Sequence, residues 1–248
     1  MVNMVLMILL NLLVGGCIGL TGIAGFLLPM FYTGFLGMPS SESLALSFAA
    51  FLISGILGSV NYYRSGNLEL KTAGILSAGS FLGAIVGVKI NLLIPEDTMK
   101  IILYLVVLLS GISILLRKEK PEKEGKKEEK NKAVYFLLGV VTGAVCAASG
   151  AGGPVLVMPL LTLIGFPAHT AVGISLFDSI FIALPSAAGY LYAASGVKEI
   201  YYLLPVLLVA HGIGVFAGSK NAVKINQKLL KQIVAVGSIA IACVKLFL

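Results

Sequence analysis

Charge is what this 248-residue chain lacks: 12% of its residues are Asp, Glu, Lys or Arg, against 58% hydrophobic, with mean hydropathy +1.01. A soluble domain carries about 25% charged residues. A chain of this size cannot hide so much apolar surface in one water-soluble core. The deficit excludes a soluble enzyme, a nucleic-acid binder and a disordered protein, and leaves an integral membrane protein. Cysteine is also sparse. Cys17, Cys146 and Cys243 all lie in apolar runs, an odd count that gives no disulfide framework, and no CxxC pair is present. The N-terminal run has no positively charged start, which reads as a retained membrane segment rather than a cleaved signal. No GxxxxGK[ST] loop occurs, so nothing points to direct use of ATP.

The charge that is present is concentrated. Eight basic residues and five glutamates fall in 117–132, so 13 of 29 charges occupy 16 residues. The net +7 is therefore mostly a loop feature and bears on membrane orientation rather than on an acidic partner.

Crossing the bilayer takes about 20 apolar residues. Six stretches qualify: 44–60, 72–93, 101–116, 171–195, 200–218 and 232–248. Two others, 4–36 and 133–164, are too long for one span and are interrupted by glycine, at 19–25 and at 149–154. Each reads as two helices joined at a break, either a re-entrant hairpin or two short spans.

The chain also repeats itself. At an offset of 128, Gly15, Thr21, Gly22, Gly25, Gly37, Pro39 and Ser47 fall on Gly143, Ser149, Gly150, Gly153, Gly165, Pro167 and Ser175. At 130, Ser65 and Gly66 fall on Ser195 and Gly196, and at 131 Gly83, Gly87, Lys89 and Lys100 fall on Gly214, Gly218, Lys220 and Lys231. The expected organisation is a first transmembrane repeat (1–116), a charged cytoplasmic linker (117–132) and a second repeat (133–248). The fold class is an all-α polytopic membrane protein, each repeat a glycine-broken hairpin plus three spans. An odd number of crossings per half inverts the second copy. That arrangement puts 14 of the 18 basic residues on the linker side, against 12 for parallel copies. Inverted repeats with matching broken helices are the signature of a secondary transporter whose site lies at the repeat interface.

Candidate chemistry follows from the breaks. A helix that starts at mid-membrane offers unpaired N–H groups and the positive end of its dipole, which favours an anion. Gly22, Gly25, Gly150, Gly152 and Gly153 permit close backbone approach, and Thr21 and Ser149 add hydroxyls at matching positions. Ser47 and Ser175 stand eight residues after matching prolines, about two turns into their helices. Close glycine packing and serines bonded to their own helix are the alternatives. Asp178 is the one carboxylate deep in a span and, with His211, is a candidate proton carrier, although the repeat places Ala50 opposite Asp178. A hydrogen-bonded structural role is equally open for Asp178, and a packing role is the favoured reading for His211. His169 reads as interfacial, Lys89 and Lys220 as snorkelling from span ends, and Cys17 and Cys146 as small packing residues.

The glycine-rich hairpins 16–29 and 143–159, each leading into a proline-started helix, resemble the TauE/SafE sulfite exporter family of membrane permeases. The later Tyr62-Tyr-Arg-Ser-Gly66 and Ser195-Gly196 loops complete the pattern. The resemblance covers nearly the whole chain. It implies a permease of two inverted halves for sulfur oxyanions such as sulfite or an organosulfonate. By motif it implies a substrate site of Thr21, Gly22, Gly25, Ser47, Ser149, Gly150, Gly152, Gly153 and Ser175. One departure is Gly22-Ile-Ala-Gly25, where the family has a denser glycine run.

The function expected is thus a proton-coupled permease for a small sulfur oxyanion in the cytoplasmic (inner) membrane, not an enzyme. Its partners are the anion and the lipid bilayer, with no nucleic acid, cofactor or metal called for, and oligomeric state open. An intramembrane enzyme acting on a phosphate-bearing lipid is the alternative. It lacks paired carboxylates, and no Arg lies within a span. A thiol redox role for Cys17 and Cys146 is a third reading.

Overall fold

The computed structural model describes residues 2–22, 24–116 and 131–221, with scattered positions between 232 and 246. The described residues form helices α1 (Val2–Thr21), α2 (Leu27–Gly34), α3 (Ser40–Arg64), α4 (Leu70–Leu93), α5 (Glu96–Leu116), α6 (Lys132–Ser149), α7 (Gly153–Ile164), α8 (Ala168–Ala193) and α9 (Lys198–Asn221). A 3-10 turn, Ala24–Phe26, joins α1 to α2. Most of the charged stretch expected to act as a linker, and most of 232–248, lie outside the described residues.

These helices are apolar on both faces. In α4, Leu76, Ala84 and Val88 are buried, yet Leu82, Ile85, Val86 and Ile90 are exposed. In water that outward face would be a liability; in hydrocarbon it is the solvated face. Five helical stretches are long and apolar enough to cross a membrane: Ser40–Arg64, Leu70–Leu93, Lys132–Ser149, Ala168–Ala193 and Ile200–Lys220. The two short helices are not. At a rise of about 1.5 Å per residue, α2 and α7 reach only about 12 and 18 Å, well under a hydrocarbon thickness of about 30 Å.

Helix boundaries fall where the sequence marks them. Pro39 and Pro167 are the N-caps of α3 and α8. Proline suits this place because a helix start leaves N–H groups unpaired in any case. Just ahead of them, Gly37 and Gly165 take positive φ, 64° and 108°, a turn that other residues adopt only at a cost.

Small residues set the packing. Gly79, Gly83 and Gly87 of α4 lie against the backbone of Phe136, Val140 and Ala144 of α6. In return, Gly139 and Gly143 lie against Leu76 and Ser80. Numbers rise together, so α4 and α6 run in the same direction. A second seam copies the first: Gly15 and Gly19 of α1 meet His211 and Val215 of α9, and Gly214 and Gly218 meet Leu12 and Gly16. Between the seams, α3 crosses α8. Gly55 meets Ser179, Gly58 meets Leu176, and Gly173 meets Asn67, so these two helices run antiparallel. Backbone-to-backbone approach of this kind replaces the hydrophobic drive that lipid does not supply.

A side chain at Gly83 would collide with the Val140 carbonyl, whereas nothing lies within 4 Å of a Cβ at Gly74. Gly83→Leu is expected to destabilise the protein by about 1–3 kcal/mol or more. Gly74→Ala should be neutral or stabilising, by up to about 1 kcal/mol, through helix propensity. Melting of the detergent-purified variants, followed by fluorescence-detected gel filtration, checks both.

Candidate functional site

Two helices stop inside the protein, and the same residue type stops both. Helix α1 ends at Thr21, after which Gly22 adopts φ +75° and donates its N–H to the Ile18 carbonyl at 2.7 Å. Helix α6 ends at Ser149, after which Gly150 adopts φ +74° and donates to the Cys146 carbonyl at 2.9 Å. Each break rests on the other half. A Cβ at Gly22 would meet Val172 of α8, and one at Gly150 would meet Leu44 of α3. Val172 and Leu44 are themselves 128 positions apart, so the repeat seen in sequence is also a repeat of contacts.

A helix that ends in a dry interior leaves carbonyls without partners. In the second break, side chains from distant helices take them. Tyr190 of α8 donates its hydroxyl to the Ala147 carbonyl at 2.9 Å, and Asn91 of α4 donates Nδ2 to the Ala148 carbonyl at 2.6 Å. The Cys146 thiol donates to the Gly152 carbonyl at 3.3 Å. Stacking on Phe48 of α3, with ring centroids 5.8 Å apart, holds the Tyr190 ring.

Beyond the two breaks the chain starts helices again, and a small cavity lies between the breaks. The first half contributes Ile18, Gly22 and Gly25; the second contributes Ala151, Gly152, Pro154 and Val155. Helices α3 and α8 close the sides with Phe51 and Ser54, and with Leu176 and Ser179. About 10 Å³ is open to the centre of a water-sized sphere, which is room for about one water. Among the described residues its side-chain polar groups are two hydroxyls, one from each half. Ser54 Oγ lies 3.3 Å from the Ala50 carbonyl and 2.5 Å from His211 Nε2. Ser179 Oγ donates to the Leu176 carbonyl at 2.7 Å. Among the described residues, no Lys, Arg, Asp or Glu lines the cavity.

Of the residues singled out in the sequence, Gly22, Gly25 and Gly152 line this cavity. Gly153 lies behind it against Ser179 and Ile182, and Gly150 against Leu44 and Pro29. The three serines Ser47, Ser149 and Ser175 are buried near it, with hydroxyls bonded to their own helices: to Ser43 at 2.7 Å, Val145 at 2.7 Å and Val172 at 2.9 Å. The Thr21 side chain lies outside the described residues. Asp178 is fully buried, and neither carboxylate oxygen has a hydrogen-bond partner. His211 is buried and reaches the cavity wall through Ser54. His169 is exposed at the start of α8, and Lys89 and Lys220 are exposed near the ends of α4 and α9.

Ser54, Ser179, Tyr190 and Asn91 were not singled out by sequence. A signal for the first two was present. Ser54 stands seven residues after Ser47, and Ser179 four after Ser175, spacings that keep them on the same helix face.

Comparison with known proteins points to one family of membrane proteins. The model of the family described as Sulfite exporter TauE/SafE matches residues 5–244. Two Bacillus subtilis proteins are similar along nearly their full lengths. The probable membrane transporter protein YdhB is 25% identical over 233 residues, covering 92% of this chain and 94% of the relative. The probable membrane transporter protein YjnA is 28% identical over 243 residues, with the same coverage. A probable membrane transporter protein of Methanocaldococcus jannaschii is 26% identical over 238 residues, covering 90% of this chain and 86% of the relative. No solved structure matches the chain.

Removing a carbonyl's partner at the second break should cost stability without enlarging the cavity. Tyr190→Phe and Asn91→Ala are each expected to destabilise by about 1–3 kcal/mol, the cost of an unpaired buried polar group. Thermal unfolding of the purified variants measures this, and an unchanged melting temperature in both would mean that these bonds do not hold the break.

Proposed function

Since the chain belongs to the TauE/SafE sulfite exporter family, we propose that it is a secondary transporter for a small sulfur-containing oxyanion, sulfite or an organosulfonate, in the cytoplasmic membrane. The observation that carries this reading is one cavity between the two helix breaks, lined by both halves of the chain with a hydroxyl from each. The unpaired N–H groups and dipole of a helix start suit an anion. Glycine at the wall lets an oxyanion approach the backbone closely. A bound anion held this way carries no lysine or arginine salt bridge, so release does not require breaking one.

Two inverted copies account for the packing. In such a pair the matched helices α3 and α8 run antiparallel, while α1 pairs with α9 just as α6 pairs with α4. The charged stretch 117–132 then lies in the cytoplasm, as the bias of basic residues favours. The proposed substrate set is Thr21, Gly22, Gly25, Ser47, Ser149, Gly150, Gly152, Gly153 and Ser175, joined by Ser54 and Ser179 as the hydroxyls nearest the anion. The cavity holds about one water, so an oxyanion with three oxygens enters only when the hairpins part, alternately toward each side. Coupling to a proton belongs to the same reading. Of the two candidates, His211 and Asp178, His211 is the better placed, because a charge on its ring acts on the hydroxyl of Ser54 at the cavity wall.

Sulfite flux into proteoliposomes tests the assignment. Ser54→Ala and Ser179→Ala are each expected to reduce flux about tenfold or more, the loss of a charge-assisted hydrogen bond of about 1.5–3 kcal/mol. Ser47→Ala, whose hydroxyl does not line the cavity, should lose less, staying within about threefold. Unchanged flux in both cavity variants would remove the cavity from the substrate path.

A further inference from the structure

One aromatic ring touches both helix breaks. A Cβ at Gly25, in the turn that follows the first break, would lie 3.1 Å from Cε1 of Phe51 and 3.3 Å from its Cζ. A Cβ at Gly152, the N-cap of α7 after the second break, would lie 3.5 Å from Cε2 and 3.7 Å from Cδ2. Opposite edges of the ring therefore face glycines of opposite halves, and the ring stands between them in the cavity wall. Phe51 is buried and held from behind. Phe48 meets it edge to face, with centroids 5.5 Å apart. Phe48 in turn stacks on Tyr190, whose hydroxyl closes the Ala147 carbonyl.

The repeat separates this ring from the packing that both halves share. The 128-residue offset carries Gly25 onto Gly153 and Phe51 onto Ser179. A Cβ at Gly153 would meet Cα and Cβ of Ser179, each at 3.2 Å, so the second half makes the same contact with a much smaller side chain. In the first half the phenyl extends past its own glycine to Gly152 of the other half. What it adds is bulk between the breaks, where room for about one water is left. An aromatic ring is positive at its edge and negative on its face. An oxyanion held beside Gly25 or Gly152 thus meets ring edge, which does not repel it.

We propose that Phe51 sets the size of the anion: its ring is a spacer between the two breaks that admits an oxyanion as small as sulfite and excludes a sulfonate with a bulky organic group. The inference rests on the transport reading above and narrows its substrate to the small end of the class. Glycines and hydroxyls recognise the oxyanion head, which sulfite and sulfonates share. Only a group that limits the space beyond the head tells them apart.

The test compares sulfite and benzenesulfonate. Flux in proteoliposomes, and the melting temperature of each purified protein in each anion, are read for the wild type, Phe51→Ser, Phe51→Leu and Phe181→Ala. Phe51→Ser copies the second half, and Phe51→Leu keeps the position apolar should the serine variant fail to fold. The wild type is expected to move sulfite and be stabilised by it, and to do neither with benzenesulfonate. Phe51→Ser should raise benzenesulfonate flux relative to sulfite about tenfold or more, and Phe51→Leu should raise it less. Phe181→Ala truncates a ring that packs on Phe177 outside the cavity, and should leave the ratio unchanged. An unchanged ratio in both Phe51 variants, equal loss of both fluxes in them, or a wild type that moves both anions alike would overturn the proposal and leave the transport reading standing. Stabilisation by benzenesulfonate in the Phe51 variants alone, with no flux in any protein, would sink transport and keep the ring as the size limit. Neither flux nor stabilisation by either anion in any protein would sink both.

Discussion

A backbone amide in hydrocarbon must find a partner or cost several kcal/mol. This protein interrupts two helices in its interior, at Gly22 and at 150–152, and the surrounding structure can be read as the means of tolerating those interruptions. The ends of α1 and α6 are closed by a left-handed glycine. Two carbonyls of α6 are taken up by Tyr190 and Asn91. A small cavity lies between the two breaks, with Ser54 and Ser179 in its wall. In the function proposed above, the helix starts at these breaks supply the recognition surface for the anion.

Holding two broken hairpins at that spot requires close contact between the halves. The glycine seams α4–α6 and α1–α9 provide it, and each joins a helix of one half to a helix of the other. Neither half therefore encloses a core by itself. At their glycines the seams bring backbone against backbone. Such surfaces suit sliding or rocking, which an alternating transporter needs. The aromatic group Phe48, Phe51 and Tyr190 packs at the crossing of α3 and α8, and Phe51 also forms a wall of the cavity.

Much of this was legible in the sequence because it depends on glycine, proline and hydropathy. The runs 4–36 and 133–164 were too long for one span, and the structure breaks them at Gly22 and at Gly150. Pro39 and Pro167 marked helix starts that are present. The 128-residue offset extends to the contacts that Gly22 and Gly150 make. Less visible was anything that joins residues far apart in the chain. Tyr190 capping Ala147 spans 43 residues, Asn91 capping Ala148 spans 57, and His211 meeting Ser54 spans 157. No local pattern encodes such pairs. The serines illustrate the same limit. Ser47 and Ser175 stood out because the repeat matched them, yet it is Ser54 and Ser179, which it does not match, that reach the cavity. Ser54 aligns with Ile182 and Ser179 with Phe51, so the two halves place a hydroxyl at different positions of the same helix face.

The central claim is that the two helix breaks share one anion. A cryo-electron microscopy structure of the protein in lipid nanodiscs with saturating sulfite addresses it most directly. The account predicts oxyanion density between Gly22 and Gly25 on one side and Gly152 and Val155 on the other, within hydrogen-bond reach of Ser54 and Ser179. Density at the lysines of the helix ends, with the space between the breaks left closed, would contradict it.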